Sequence, residues 1–168
     1  RARSETMLES SAEGIYGGNV LDQQGPTAAL TNMLNKYGNM SISGIAVFRH
    51  TIPSALNYVA KKLLPYDDLY HLGLFFKVHT GSGEKLLKLD KESYIMLREM
   101  DSIPNTETVI QLPLVNATLN QIFEKMKIVF PGHLWRYNAI SNNCQIFVMM
   151  VLSVLNLVTP HIKEFVLQ

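Results

Sequence analysis

The segment Ser141-Asn142-Asn143-Cys144-Gln145-Ile146-Phe147, with the apolar run it opens through Val158, constrains this chain more than any other stretch. Polar, capping-prone residues that meet an apolar period predict a helix starting close to Cys144 and running until Thr159-Pro160 breaks it. The run contains Ser153 and Asn156 and falls well short of the ~20 apolar residues that a membrane span needs. A buried core helix is therefore expected, and the rest of the chain must pack around it.

The other elements follow from their periods. Pro26 to Tyr37 predicts a short helix, and Ile52, Leu56, Val59, Ala60 and Leu63 fall on one face of a second helix over 52–64, which Pro65 stops. Leu69 to Val78 reads as a strand, Thr80-Gly81-Ser82-Gly83 as a turn and Glu84 to Asp90 as the returning strand of a hairpin. Thr108 to Leu112 predicts a further strand. Leu119, Ile122, Phe123, Met126, Val129 and Phe130 make an amphipathic helix, with Asn116 as its expected cap and Pro131-Gly132 as its end. Ile162 to Leu167 adds a final turn or two. Helices and an antiparallel hairpin in this order predict an α+β domain, a small antiparallel sheet packed against helices.

With 168 residues, 47% of them hydrophobic, the chain fits one domain with a real core. Residues 1–45 are rich in Ser, Gly, Asn and Gln, and are expected to form a polar arm or linker ahead of a folded domain over 46–168. The net charge of +1 and the scattered basic residues provide no field to hold a nucleic-acid backbone, so no nucleic acid is expected as partner. A single cysteine leaves no internal disulfide and no cysteine-based zinc site. It fits a reducing, cytoplasmic compartment, and neither a metal nor a cofactor is expected.

The chemistry rests on Cys144. A thiol in the first turn of a helix feels the positive end of the dipole and several unpaired N–H groups, and both favour the nucleophilic thiolate. Such chemistry also needs an imidazole to carry the proton and donors for the oxyanion. His71 is the expected imidazole: a strand holds it rigidly, on the face shared with Gly73, Phe75 and Lys77 and opposite Tyr70, Leu72, Leu74 and Phe76. Gly73 beside it leaves room for a substrate or a packed helix. Asp90 on the paired strand is the expected group to orient the imidazole, ahead of His79 and Lys88. Asn143 and Gln145, flanking the cysteine, are expected to support the oxyanion. His50, His79, His133 and His161 have no pattern that recommends them.

Tyr70-His71-Leu72-Gly73-Leu74 on a strand, followed later by Asn143-Cys144-Gln145-Ile146-Phe147 opening an apolar helix, resembles the circularly permuted papain-like superfamily. That group includes the NlpC-type peptidases, the lecithin–retinol acyltransferase family and the His-box/Asn-Cys proteins of some RNA viruses. The segments Tyr66 to His71 and Trp135 to Phe147 are also similar to domains of invertebrate virus proteins. The resemblance spans about residues 45 to 158. It implies a permuted papain-like arrangement with the His strand before the Cys helix, Cys144 as nucleophile and His71 as general base. Acyltransferase members place a second His on the following strand, where this chain has Lys88 and Asp90.

The expected activity is that of a cysteine-nucleophile acyl hydrolase or transferase acting on a lipid ester or a peptide or amide bond. Peripheral membrane contact would accompany a lipid substrate. The alternative is a catalytically silent structural or interaction module of a viral particle or polyprotein, located in the virion or host cytoplasm, with an assembly partner recruited by the polar arm. Val166-Leu167-Gln168 resembles the sites at which chymotrypsin-like viral cysteine proteases cut after Gln, which points to a piece processed from a longer chain.

Overall fold

In the computed structural model the described residues are 25–52, 70–138 and 143–167. Most of the expected helix over 52–64 and the first part of the expected arm lie outside them. The elements run in the order α1 (Ala28–Tyr37), β1 (Ile42–Thr51), β2 (Tyr70–Thr80), β3 (Gly83–Lys91), β4 (Ile95–Met100), β5 (Thr108–Leu112), α2 (Leu119–Val129), α3 (Cys144–Val154) and α4 (Pro160–Leu167). The fold is α+β, and its antiparallel sheet has the order β4-β3-β2-β1-β5.

Alternation along the strands separates two faces. Ile45, Val47, Leu72, Leu74, Phe76, Val78, Leu87, Leu89 and Leu97 join the main core together with the buried sides of the helices. Ala46, Phe48 and Phe75 form a smaller cluster on the other face. The hairpin expected over 69–90 is present, with Phe75 opposite Lys88 and Gly73 opposite Asp90.

Two strands were not anticipated. β1 lies between β2 and β5, so the expected boundary at residue 45 falls inside a strand of the sheet. The described part of the expected arm is core: Leu30 and Tyr37 of α1 are 1% and 5% exposed, and Ile42 and Ile45 are buried as well. β1 is covered on both faces, which replaces alternation by a continuous apolar run from Ile45 to Phe48, and Ser43-Gly44 reads as a turn. β4 pairs with β3, bringing Arg98 opposite Lys88. α1 packs on β4, where the Tyr37 hydroxyl donates to Glu99 and Lys36 Nζ lies 2.9 Å from the same carboxylate. Those two partners, Tyr37 foremost, hold Glu99 down at about 2.

Capping explains where the helices begin and end. α2 starts two residues later than Asn116 predicts, because Thr118 and Gln121 form a capping box. The threonine hydroxyl accepts the Gln121 amide at 3.2 Å, and the Gln121 side chain accepts the Thr118 amide at 2.9 Å. α3 starts as expected at Cys144 but stops at Val154, well before Thr159-Pro160. Asn156 there adopts φ 55, and the amides of Leu157 and Asn156 donate back to Leu152 O at 2.9 Å and Ser153 O at 3.1 Å. This is a Schellman ending, which asparagine can occupy without the strain a branched residue would feel. Pro160 then begins α4, where its fixed φ suits the first turn and Thr159 Oγ1 accepts the Ile162 amide at 3.2 Å.

α3 is the element around which the rest assembles. Phe147, Val148, Met150, Val151, Leu152 and Val154 are buried, each such side chain stabilising by about 1.5–3 kcal/mol. It packs on β2 and β3, with α2 and α4 against its other sides. Among the described residues no helix is long and apolar enough to cross a membrane.

Candidate active site

Asn143 sets the position of the cysteine. Its backbone is extended, at φ -103 and ψ -169, and its Oδ1 accepts the amides of Gln145 at 3.0 Å and Ile146 at 3.2 Å. Asn143 Oδ1 is therefore occupied as a helix cap rather than offered to an oxyanion, and Gln145 contributes its amide to that cap. The cap does not take the Cys144 N–H, which leads the first turn. Cys144 is a free, half-buried thiol whose sulfur lies 4.0 Å from the carbonyl oxygen of Tyr70, the first residue of β2.

His71 follows Tyr70 on β2, and its Nε2 lies 2.8 Å from Oδ2 of Asp90. The sheet register produces this contact: Asp90 pairs with Gly73 and shares the face of His71. Burial alone would push the imidazole down. The Asp90 hydrogen bond, followed by a hydrogen bond from the side of Cys144 and the negative charges of both partners, overrides burial and lifts His71 from 6.5 to about 9. The tertiary structure thus gathers Cys144, His71 and Asp90 into one corner, with the imidazole between the two acids.

Asp90 is fully buried and has two further cationic neighbours. Arg98 donates to both carboxylate oxygens, at 3.3 and 3.2 Å, and Lys88 Nζ stands 3.9 Å away. Sequence reasoning weighed Lys88 only as a substitute for Asp90 and missed Arg98. The missed signal was the alternation in Ile95-Met96-Leu97-Arg98, whose buried positions are Ile95 and Leu97.

Gly73 does not open a space for substrate. A Cβ there would stand 2.6 Å from ring carbons of Phe48 and 2.8 Å from Leu89 O. The glycine lets the Phe48 ring close over the sheet, edge-on to the His71 ring at a centroid distance of 6.3 Å. His50 is the cross-strand neighbour of His71, and its Nδ1 lies 3.3 Å from Glu107 Oε2.

His71, Asp90 and Glu92 present potential metal-ligand atoms within 4.8 Å of one another. The Arg98 guanidinium and Lys88 ammonium already on Asp90 would repel a divalent cation there. A cavity of about 490 Å³ bordered by Lys77, Lys85, Leu86, Met100 and Asp101 lies elsewhere. Lys77 stands roughly 20 Å along β2 from His71, at about 3.3 Å per residue.

No family model, no curated protein and no solved structure matches this chain.

Proposed function

We propose that this chain is a cysteine-nucleophile acyl hydrolase or transferase of permuted papain-like arrangement, using Cys144, His71 and Asp90. The observation that supports this reading best is the His71 imidazole held between the Asp90 carboxylate and the Cys144 side chain and lifted to about 9. An imidazole that basic carries its second proton at neutral pH and is equipped to hand it to a leaving group. Asp90 occupies Nε2, which leaves Nδ1 as the ring nitrogen open to the reaction.

In this reading the Cys144 thiolate attacks the carbonyl carbon of an ester or amide and forms the C–S bond. The Cys144 N–H, first in the turn of α3, stabilises the oxyanion. As the tetrahedral centre collapses, the C–O or C–N bond breaks and imidazolium His71 gives its proton to the departing alcohol or amine. Neutral His71 then takes a proton from water or from an acceptor hydroxyl or amine as that group attacks the thioester. The C–S bond breaks, the acyl group leaves, and the thiolate–imidazolium pair is restored. Buried Asp90 keeps the ring oriented and stabilises its charge, while Arg98 and Lys88 hold the carboxylate in place.

The test is acyl-enzyme trapping. The protein is mixed with an activated medium-chain acyl ester in one arm and an activated peptide ester in the other, and read by intact mass. The expected result is one acyl adduct on Cys144 in at least one arm. Cys144→Ala should form no adduct, and His71→Ala should turn over at least about 100-fold more slowly. Absence of adduct in both arms, or an equal rate of ester hydrolysis in Cys144→Ala, overturns the proposal.

A further inference from the structure

Lys91 is fully buried at the end of β3, one residue beyond Asp90, and points to the opposite face of the sheet. Its Nζ donates to Leu134 O at 3.1 Å and to Arg136 O. Both carbonyls belong to the connection between α2 and α3. Leu134 is itself 1% exposed, and Trp135 between them stacks on Phe123 of α2, with centroids 6.4 Å apart and an interplanar angle of 18°. Residues 134–136 of the connection are therefore held from two sides, by β3 through Lys91 and by α2 through Trp135.

We propose that Lys91 is a positioning residue for Cys144: rooted next to Asp90 on β3, its ammonium fixes the Leu134–Arg136 connection that leads into α3. A methionine would fill the same volume without the cost of burying an ammonium, and burial pushes Lys91 down to about 8. What the lysine adds is a tie between two backbone carbonyls and the strand that also carries the acid. Consecutive residues of β3 thereby hold the two halves of the site, Asp90 the imidazole and Lys91 the approach to the nucleophile. The inference rests on the Cys144–His71 reading above.

The test measures iodoacetamide alkylation of Cys144, the sole cysteine, at pH 6.5, together with emission from Trp135, the sole tryptophan. Lys91→Met should slow alkylation by about tenfold or more, since a small displacement of a reacting group costs that much, and should shift the Trp135 emission. Lys91→Arg, which keeps the donors, should restore most of the rate. Lys91→Gln serves as the second variant where the methionine protein does not fold. A merely structural lysine predicts the opposite sign, because a loosened fold exposes the thiol and alkylates faster. An unchanged or faster rate in folded Lys91→Met or Lys91→Gln overturns the inference. The two readings fail separately: if His71→Ala alkylates as fast as the unmodified protein, the Cys–His reading falls. If His71→Ala is slow while Lys91→Met is not, only the role of Lys91 falls.

Discussion

Oδ2 of Asp90 sits 2.8 Å from Nε2 of His71, with the carboxylate wholly buried and the imidazole half-buried. This contact turns a histidine of the central strand into a fixed ring that carries its second proton at neutral pH. It also concentrates four ionisable groups, His71, Lys88, Asp90 and Arg98, in one corner of the sheet.

Removing the acid charge should therefore do two things at once. Asp90→Asn takes the anion from Arg98, which is half exposed, and from Lys88, and should cost about 1.5–3 kcal/mol of stability, the range for hydrogen bonds to a charged group. In the protein that remains folded, alkylation of Cys144 at pH 6.5 should slow by about tenfold or more. Urea unfolding and timed alkylation read the two effects, and a rate equal to that of the unmodified protein would argue against any role for Asp90 in the site.

Alkaline pH should weaken the fold through His71. Its folded value, about 9, lies above its ordinary 6.5, so the folded state binds the proton more tightly. That stabilisation is complete below pH 6.5 and is lost as pH rises through 9. Lys91 acts in the other direction, because its folded value of about 8 lies below its ordinary 10.5 and it stabilises progressively between those limits. The net fall should appear between pH 6.5 and 8, before Lys91 offsets it. Urea midpoints measured from pH 6 to 10 should show this fall in the unmodified protein and a flattened profile in His71→Gln.

Gly73→Ala tests the closure of Phe48 over the sheet. The new Cβ meets ring carbons that can turn and a Leu89 carbonyl that cannot, so about 1–3 kcal/mol of destabilisation is expected. Adding Phe48→Leu should recover part of it, leaving the backbone clash. Full recovery in the double variant, measured by thermal or urea unfolding, would show that the ring alone sets the requirement for glycine.

Asn143→Ala removes the cap of α3 and should cost about 1 kcal/mol, whereas Asn143→Asp and Asn143→Ser keep an acceptor and should stay close to the unmodified protein. If Asn143→Asp preserves stability and alkylation rate alike, the cap is the whole contribution of this side chain. A rate that collapses in Asn143→Asp at unchanged stability would instead give the amide itself a part in the chemistry.

The residues alone determined whatever depends on near neighbours. The hairpin over 70–91, the start of α3 at Cys144 and the shared face of His71 and Asp90 follow from turn chemistry, capping and the two-residue period of a strand, all interactions within a few positions. Even local signals competed: Thr118 with Gln121 displaced Asn116 as a cap, and Asn156 ended α3 before Pro160 could. Only the tertiary structure decided that β1 enters the sheet, that Arg98 reaches Asp90, that Phe48 fills the space above Gly73 and that Lys91 grips the 134–136 connection. Those contacts join segments remote in the chain, and burial on both faces erases the alternation that would announce them. The meeting of Cys144 with His71 is of the same kind: each is placed by its own helix or strand, and packing α3 on β2 brings them together.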